Sequence, residues 1–287
     1  MGETKMISRI SRGVIHRMRR ALRSPFRSPR PETIVHCTYH KMGTKWFTSV
    51  LAAIANQYGL SVQCIDNNID ELQLDNDIIV FDHSDLASQS IESCVGSHML
   101  RDLRDVIVSG YFYHLWTKEE WALVPKREFG GLNYQEHLKS LSQHEGILAE
   151  IERFAQYAID RRMREWDYGN PQFLELKYEN VFGNEENAFR LLFSHYGFTP
   201  NAIESSIAIA RKFSFDAVRK TNRETTQRSH LRSGVFGQWN ELFTNTHKNL
   251  FKETLGDLLV LTGYEKGFDW LDFNRIVHGV SLAKGVY

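Results

Sequence analysis

One segment near the amino end constrains the fold most, because a strand pattern runs through a glycine turn into a helix pattern. Residues 33–39 are apolar and β-branched, which is typical of a buried strand. A turn follows at residues 41–44, and residues 46–58 have apolar side chains at helical spacing before Gly59. The amino end of a helix presents unpaired N–H groups and the positive end of the helix dipole. The segment therefore predicts a strand–turn–helix unit that can bind an anion.

The rest of the chain continues the alternation of strands and helices. Further strands are predicted at residues 61–65, 77–81, 98–101 and 172–177. Further helices are predicted at residues 104–116, 146–166, 185–196, 202–213 and 244–255. Residues 117–144 contain a proline and a glycine pair, and they are predicted to form a long irregular segment of the kind that makes a lid or a binding loop. Strands that alternate with helices favour an α/β fold with a parallel sheet covered on both faces.

The charge of the chain is unevenly distributed. The formal net charge is zero, but residues 1–30 carry nine Lys and Arg side chains against the single acid Glu3. The Ser-Pro pairs at Ser24 and Ser28 end any helix there. We therefore expect a basic, flexible extension over residues 1–30 and a domain over residues 31–287. Contact of the extension with anionic lipid or nucleic acid is the alternative interpretation, and we expect no nucleic acid as a partner.

Three features of the sequence predict the location of the protein: its apolar runs, the residues of a possible signal peptide and its cysteines. No apolar run approaches the ~18–20 residues that a membrane span needs, and arginines interrupt every apolar stretch of a possible signal peptide. The three cysteines, Cys37, Cys64 and Cys94, show no paired spacing and are predicted to be reduced thiols. These features predict a cytoplasmic protein without a transmembrane segment.

Three segments carry residues that can bind phosphate or sulfate. In the first turn, Gly43 allows close approach of the backbone, Thr44 offers a hydroxyl, and Lys41 and Lys45 add positive charge. The nucleotide triphosphatase pattern Gly-x-x-x-x-Gly-Lys-Ser/Thr is absent from the chain.

The second and third segments lie further along the chain. Arg101 at the end of a predicted strand can bind a phosphate bidentately, and Ser109 in the next helix can add a hydroxyl. In the third segment, Arg232 and Gly234 stand in an irregular stretch that ends near Trp239 and suits a loop folded over an anion. Each segment alone also fits a solvated helix start or a structural turn.

Together these segments resemble the sulfotransferase family that uses 3′-phosphoadenosine-5′-phosphosulfate (PAPS), and they follow the family's order. Residues 40–46, His-Lys-Met-Gly-Thr-Lys-Trp, resemble the 5′-phosphosulfate loop Pro-Lys-Ser-Gly-Thr-Thr-Trp. Residues 101–109 resemble Arg-x-x-Arg/Lys-Asp-x-x-x-Ser, and residues 232–244 resemble Arg-Lys-Gly-x-x-Gly-Asp-Trp-Lys-Asn-x-Phe-Thr. Residues 178–180 and 214–216 are similar to the family's Tyr-Glu-Asp and Ser-Phe-Glu elements. The resemblance covers residues 33–256.

The resemblance implies a single α/β domain with a central parallel sheet flanked by helices, in a fold related to P-loop kinases. It also implies roles for the matching residues. Lys41 would contact the oxygen between sulfur and phosphorus, and Gly43, Thr44 and Lys45 would hold the 5′-phosphate. The residues implied to hold the 3′-phosphate are Arg101, Ser109, Arg232 and Gly234. The residues implied to surround the adenine are Trp46, Tyr178 and Phe215. Departures such as His40 for Pro and Ser233 for Lys leave the acceptor open.

The general base of the family is a histidine between the first two phosphate segments, just after a strand. His83 stands at that place, and an imidazole can accept a proton near neutral pH. The competing assignment is His98, which directly precedes the strand that leads to Arg101. A strand-end histidine bonded to Asp82 or Asp85 is the structural alternative.

The predicted function is transfer of the sulfonate group of PAPS to a hydroxyl or amine, with release of 3′-phosphoadenosine-5′-phosphate (PAP). The acceptor is expected to be a small molecule, a lipid or a carbohydrate, held by residues 117–144 and the chain after residue 257. No motif requires a metal, and His36 and His40 lack a neighbouring carboxylate in the sequence. The alternatives are a non-catalytic nucleotide-binding protein and a small-molecule kinase.

Overall fold

A computed structural model describes residues 25–27, 33–66, 68–84, 94–156, 159–217 and 236–270. The described strands form one parallel sheet in the order β2-β3-β1-β4-β5. The strands are β1 (Thr33–Cys37), β2 (Val62–Asp66), β3 (Ile78–Asp82), β4 (Cys94–Leu100) and β5 (Phe173–Lys177). The predicted α/β architecture with a central parallel sheet is therefore confirmed.

Most of the predicted helices are present among the described residues, with ends that differ by a few residues from the prediction. The first six are α1 (Thr44–Tyr58), α2 (Leu103–His114), α3 (Glu120–Leu123), α4 (Tyr134–Ser140), α5 (Gln143–Gln156) and α6 (Ile159–Glu165). The next five are α7 (Tyr178–Val181), α8 (Glu185–His195), α9 (Pro200–Ala210), α10 (Trp239–Leu242) and α11 (Asn245–Leu261). Short 3₁₀ helices occur at Ile69–Glu71, Arg127–Phe129 and Arg211–Phe213.

The prediction of a long irregular segment at residues 117–144 is wrong. This part of the chain contains α3, a 3₁₀ turn, α4 and the start of α5. A capping box at Asn133 starts α4, because the Asn133 side chain accepts from the Glu136 N–H and the Glu136 carboxylate accepts from the Asn133 N–H. Tyr134 and Leu138 of α4 are buried in the core. The helices are too short for their periodicity to be visible in the sequence.

The sheet is buried on both faces, as the apolar runs of its strands require. All five residues of β1 are buried, and alternate residues belong to different clusters: Ile34 to the main core, Val35 and Cys37 to a smaller one with Phe81 and Trp166. The main core joins the sheet to the long helices, including α1, α2, α5 and α11. The helices that carry the predicted phosphate segments are therefore held firmly against the sheet.

The strand order predicts a crevice at the carboxyl ends of β1 and β4. β1 lies in the middle, with β3 and β2 on one side and β4 and β5 on the other. The connections after β1 and β4 therefore lead in different directions, and open α/β sheets bind ligands outside the carboxyl ends of strands at such a point. The predicted loops at Lys41 and Arg101 follow β1 and β4 directly.

Three residues near the amino end contact the domain. Phe26 is buried and pairs with Phe198, and the Arg27 N–H donates to the Gly197 carbonyl at 2.7 Å. Residues 1–24 and 28–30 lie outside the described residues, so the flexible extension stays a prediction. No helix in the described part of the chain has the length and apolar character of a membrane span.

Candidate active site

The loop after β1 turns sharply before α1. Lys41 has φ +64° and Gly43 has φ +99°, and the Met42 N–H donates to the Tyr39 carbonyl at 3.0 Å. Lysine rarely adopts this left-handed backbone conformation, whereas glycine adopts it at little cost. A Cβ at Gly43 would also lie 3.5 Å from the ring of Tyr178. The loop thus holds Lys41 in an uncommon conformation beside the amino end of α1.

The amino end of α1 is open to an anion. Among the described residues, no side chain caps this helix, whose Ncap residue is Gly43. The Thr44 hydroxyl instead donates to the Asp82 carboxylate at 3.0 Å, which ties the start of α1 to the end of β3. The N–H groups of the first turn and the helix dipole favour a phosphate or sulfate at this point.

The ammonium group of Lys41 lies in a cationic environment. Its Nζ stands over the ring of Tyr113, 4.0 Å from the centroid. Burial and the neighbouring charges of Arg101 and Lys45 lower the pKa of Lys41 from 10.5 to about 7. A bound anion would offset these charges, so this environment favours an anionic ligand.

Arg101 closes the crevice from the β4 side. Its Nη1 donates to the Lys41 carbonyl at 3.1 Å, and its guanidinium stands 4.7 Å from the centroid of the Tyr178 ring. Its Nε is buried and has no hydrogen-bond partner among the described residues. A buried donor without a partner is costly, and a bound oxyanion would satisfy it. The structure thus brings Arg101 and the Lys41 loop together.

The remaining residues that are predicted to hold the 3′-phosphate are only partly described. Ser109 is half-buried on α2, two turns after Arg101. Arg232 and Gly234 lie outside the described residues. The segment that follows them is tied to α2, because the N–H groups of Gly237 and Trp239 both donate to the Asp105 carboxylate.

The residues predicted to surround an adenine form part of an aromatic cluster. Trp46 and Tyr178 are in edge contact, with ring centroids 6.2 Å apart. Phe215 contacts Phe182 at 5.2 Å, and Phe182 in turn lies 5.8 Å from Tyr178 with nearly parallel rings. Trp46 and Tyr178 therefore meet, whereas Phe215 joins them through Phe182. Sequence reasoning missed Phe182, although it stands four residues after Tyr178.

His83 lies at the carboxyl end of β3 with φ +52°. Its Nδ1 is 2.8 Å from the Asp66 carboxylate, which leaves Nε2 as the nitrogen that can accept a proton. Burial would lower the pKa of His83, but the hydrogen bond to Asp66 and the charge of Asp82 raise it above 6.5. Arg162 holds the His83 carbonyl at 2.6 Å. The arrangement is that of an imidazole base oriented by a carboxylate.

His98 occupies a different environment. It lies inside β4, is fully buried, and pairs in register with Cys37 rather than with the loop after β1. Its Nδ1 is 2.8 Å from Glu175 and its ring stacks on Trp166 at 4.1 Å. The geometry therefore favours His83 over His98 as the base.

Asp66, Asp82 and His83 also offer oxygen and nitrogen atoms within 4.8 Å of one another. The hydrogen bonds already described join these atoms to each other and to Thr44. The prediction that the site needs no metal stays a prediction.

Tyr113 was not identified from the sequence. It lies one turn after Ser109 on α2, its ring contacts Lys41, and its hydroxyl donates to Glu119 at 2.6 Å. A tyrosine on an apolar helix is usually a core residue, so only the fold reveals its contact with the loop.

Comparison with solved structures shows the fold. A mouse sulfotransferase, SULT7A1, complexed with PAP, is similar to this chain with a TM-score of 0.54 and 16% identity, over 79% of this chain and 85% of the mouse chain. Retinol dehydratase in a complex with retinol and PAP matches with a TM-score of 0.44 and 14% identity, over 80% of this chain and 82% of the other. No curated protein matches the sequence.

Comparison with protein families gives the family. The model of the sulfotransferase domain matches residues 97–263, which is more than half of the chain. The match includes Arg101, Ser109 and Tyr178, and it begins after the Lys41 loop and His83. The chain belongs to the sulfotransferase domain family.

Proposed function

We propose that this protein transfers the sulfonate group of PAPS to a hydroxyl or amine of an acceptor and releases PAP. One observation carries the proposal: the Lys41 loop and Arg101 meet at the crevice between β1 and β4, with the Arg101 Nη1 3.1 Å from the Lys41 carbonyl. Two cationic side chains and an uncapped helix end suit a donor with several anionic groups. The mouse sulfotransferase was crystallised with PAP, which supports this choice of donor.

The residues of the crevice fit the parts of the donor. Gly43, Thr44 and Lys45 at the start of α1 would hold the 5′-phosphate. The buried Nε of Arg101, which has no hydrogen-bond partner among the described residues, would donate to an oxygen of the 3′-phosphate. Ser109, Arg232 and Gly234 are further predicted contacts. The aromatic cluster of Trp46, Tyr178 and Phe215 would take the adenine, since it begins at the Tyr178 ring that Arg101 contacts.

The reaction we propose is an in-line displacement at sulfur. The acceptor oxygen or nitrogen forms a bond to sulfur while the bond between sulfur and the bridging oxygen breaks, and the electron pair leaves with the 5′-phosphate of PAP. The Nε2 of His83 takes the proton of the acceptor, because Nδ1 is committed to Asp66. The ammonium of Lys41 stabilises the charge that develops on the leaving phosphate.

The protonation states of these two residues set the pH dependence. His83 must be neutral to act as a base, and its raised pKa delays this until the pH exceeds its ordinary value. Lys41 must be charged, and its pKa of about 7 in the empty site means that this charge is lost as the pH rises. We therefore expect a narrow bell-shaped pH dependence of kcat/KM, which reports the free enzyme.

The acceptor would approach from the side of His83 and Tyr113, opposite the aromatic cluster. We propose a small molecule, a lipid or a carbohydrate as acceptor, and a cytoplasmic location. The helices at residues 117–144 place the partly buried Trp121 beside His114, which supports a pocket wall there.

The test is conversion of PAPS to PAP by the wild-type protein across a panel of alcohols, phenols, sugars and amines, with a chelator present in a parallel series. We expect turnover with at least one acceptor, unchanged by the chelator. A protein that binds PAP but converts no PAPS with any acceptor would be a nucleotide-binding protein. A protein that instead requires ATP with Mg²⁺ would be a kinase.

A further inference from the structure

His40 of the Lys41 loop is the first of three side chains that form a hydrogen-bonded row. The Nε2 of His40 lies 3.1 Å from the Nε2 of His114, and the Nδ1 of His114 lies 3.0 Å from the Glu150 carboxylate. His114 and Glu150 are fully buried. The two imidazole planes are within 8° of each other, with centroids 5.1 Å apart. His40 is half-buried. We call these three residues the triplet.

The carboxylate of Glu150 is an anion with all its hydrogen bonds made. Its Oε2 accepts from His114 and from the Tyr134 hydroxyl at 2.8 Å, and its Oε1 accepts from Arg153 at 2.7 Å. Burial alone would raise the pKa of Glu150, but the charge of Arg153 and the hydrogen bonds from Arg153 and His114 outweigh it and lower the pKa to about 2. An ionised carboxylate only accepts hydrogen bonds.

The charge of Glu150 fixes the protons of both histidines. His114 must carry its proton on Nδ1 to donate to Glu150, and burial lowers its pKa, so its Nε2 is a bare acceptor. The Nε2 of His40 must then be the donor in the contact with His114. Burial, followed by the charges of His114 and Lys41, lowers the pKa of His40 well below its ordinary value. His40 is therefore a neutral imidazole in one fixed tautomer.

A matching contact holds the next residue of the loop. Lys41 stands on the ring of Tyr113, whose hydroxyl donates to Glu119. Tyr113 and His114 are neighbours on α2, just as His40 and Lys41 are neighbours in the loop. Two adjacent loop residues thus contact two adjacent helix residues, and each helix residue is bonded to its own glutamate.

The helix leaves space for the buried glutamate. Gly110 lies one turn before His114, and a Cβ at this position would come within 2.6 Å of the Glu150 Oε1. The backbone of Gly110 lies in the middle of α2, where glycine is otherwise unfavourable. The absence of a side chain at Gly110 lets Glu150 reach His114.

We propose that His40, His114 and Glu150 are positioning residues for Lys41: they pin the loop in the conformation that places the Lys41 ammonium, and they keep a second positive charge out of the loop. This inference rests on the proposed function, in which Lys41 acts on the leaving group. The left-handed backbone conformation of Lys41 persists only where neighbouring contacts hold it. The hydrogen bond from His40 to His114, one residue before Lys41, supplies such a contact.

The charges around the two loop residues agree with this role. Arg101 and Lys45 disfavour the charged form of Lys41, whereas Glu119 and Glu150 favour it. His40 is faced by His114, Lys41, Arg153 and His83, all of which disfavour a proton on it. A protonated His40 would add a positive charge next to Lys41 and lower the pKa of Lys41 further.

The experiment compares wild type with His114→Phe, His40→Phe and Glu150→Gln. The two Phe variants keep a ring and remove the hydrogen bond, and we expect each to lower kcat ~10-fold through misplacement of Lys41. Affinity for PAP should fall less than kcat does, because the proposed 3′-phosphate contacts of Arg101 and Ser109 come from residues outside the loop. In Glu150→Gln the pKa of Lys41, followed by the ¹³Cε chemical shift of the lysine side chain, should fall by ~1 unit because a favourable charge is lost.

His247→Phe is the matched control. His247 is a buried histidine on α11 whose two ring nitrogens are both bonded, to Thr244 and to the His144 carbonyl. This variant should lose stability to a similar extent while its kcat and the pKa of Lys41 stay at the wild-type values.

The proposal is overturned if the three triplet variants lose only stability, with kcat within twofold of wild type and an unchanged pKa of Lys41. If Glu150→Gln does not fold, the two Phe variants decide the question through kcat. The chemical-shift titration needs no turnover. It therefore still tests the triplet if the wild-type protein converts no PAPS, an outcome that would contradict the proposed function instead.

Discussion

Two histidine–carboxylate pairs lie beside the Lys41 loop, and they differ most in their access to water. The His114–Glu150 pair is completely buried, with side-chain exposures of 0% and 1%. The His83–Asp66 pair is open, with exposures of 22% and 79%. The rings of His83 and His114 both lie near His40, at centroid distances of 5.7 and 5.1 Å.

The difference in exposure separates two tasks. Burial lowers the pKa of His114, so that pair stays in one protonation state and suits a structural role. In the open pair the acidic partners raise the pKa of His83, and water can carry away a proton that His83 has accepted. In the proposed mechanism, one pair positions the group that stabilises the leaving phosphate, and the other exchanges protons with the acceptor.

The largest effect is expected from removal of the base in the open pair. His83→Ala should lower kcat by ~10²–10⁴-fold, because the acceptor loses its proton acceptor. Affinity for PAP, measured by calorimetry, should hardly change, since a base that faces the acceptor touches no phosphate. If His83→Ala keeps most of its activity while His98→Ala does not, the assignment of the base is wrong.

Removal of Lys41 tests the other side of the comparison. Lys41→Ala should lower kcat by roughly 10²-fold, since Lys41 interacts with charge that develops only as the bond to sulfur breaks. Binding of PAP should weaken less than kcat falls, because Arg101 remains in place. Steady-state kinetics and calorimetry on the same variant give both numbers, and a fully active Lys41→Ala protein would exclude this role.

The two carboxylates should differ in their contribution to stability. Glu150→Ala should lower the free energy of unfolding by ~3–5 kcal/mol, because the variant leaves Arg153 and His114 without their buried partner. Asp66→Ala should cost less than about 1 kcal/mol, as expected for an exposed pair. Denaturant unfolding of both variants measures the difference, and equal losses would contradict the contrast between a buried and an open pair.

The smallest effect sharpens the role of Asp66. The hydrogen bond to Asp66 raises the pKa of His83, so Asp66→Asn should lower that pKa and extend activity to lower pH. The acidic limb of kcat/KM should move in this direction in Asp66→Asn and should vanish in His83→Ala. A limb that stays in place in both variants would belong to another group.

The sequence predicted the parts of the site that lie within short segments. The strand–turn–helix at residues 33–58 and the strand ends before His83 and Arg101 follow from local patterns, because each lies within a short run of consecutive residues. The parallel sheet follows from the alternation of strands with helices. The helix α1 begins at Thr44, two residues before its predicted start, since Gly43 provides the turn immediately ahead of it.

Other parts of the site depend on distant residues and could not be predicted. His40 and His114 are 74 positions apart, and His114 and Glu150 are 36 apart, so only the packing of α2 against α5 and the loop brings them together. His40 stands where the family's loop has proline, and its hydrogen bond to His114 is the contact that we propose positions Lys41. The short helices α3 and α4 were missed because each has too few residues to show a period.

The central claim is that the crevice binds a donor through its 3′-phosphate as well as its 5′ end. Calorimetry with PAP and with AMP tests it most directly, because the two nucleotides differ only by the 3′-phosphate. Charge-assisted hydrogen bonds are worth ~1.5–3 kcal/mol each, so the wild-type protein should bind PAP at least ~10-fold more tightly than AMP. In Arg101→Ala most of that preference should disappear. Equal affinities of the wild-type protein for PAP and AMP would contradict the account.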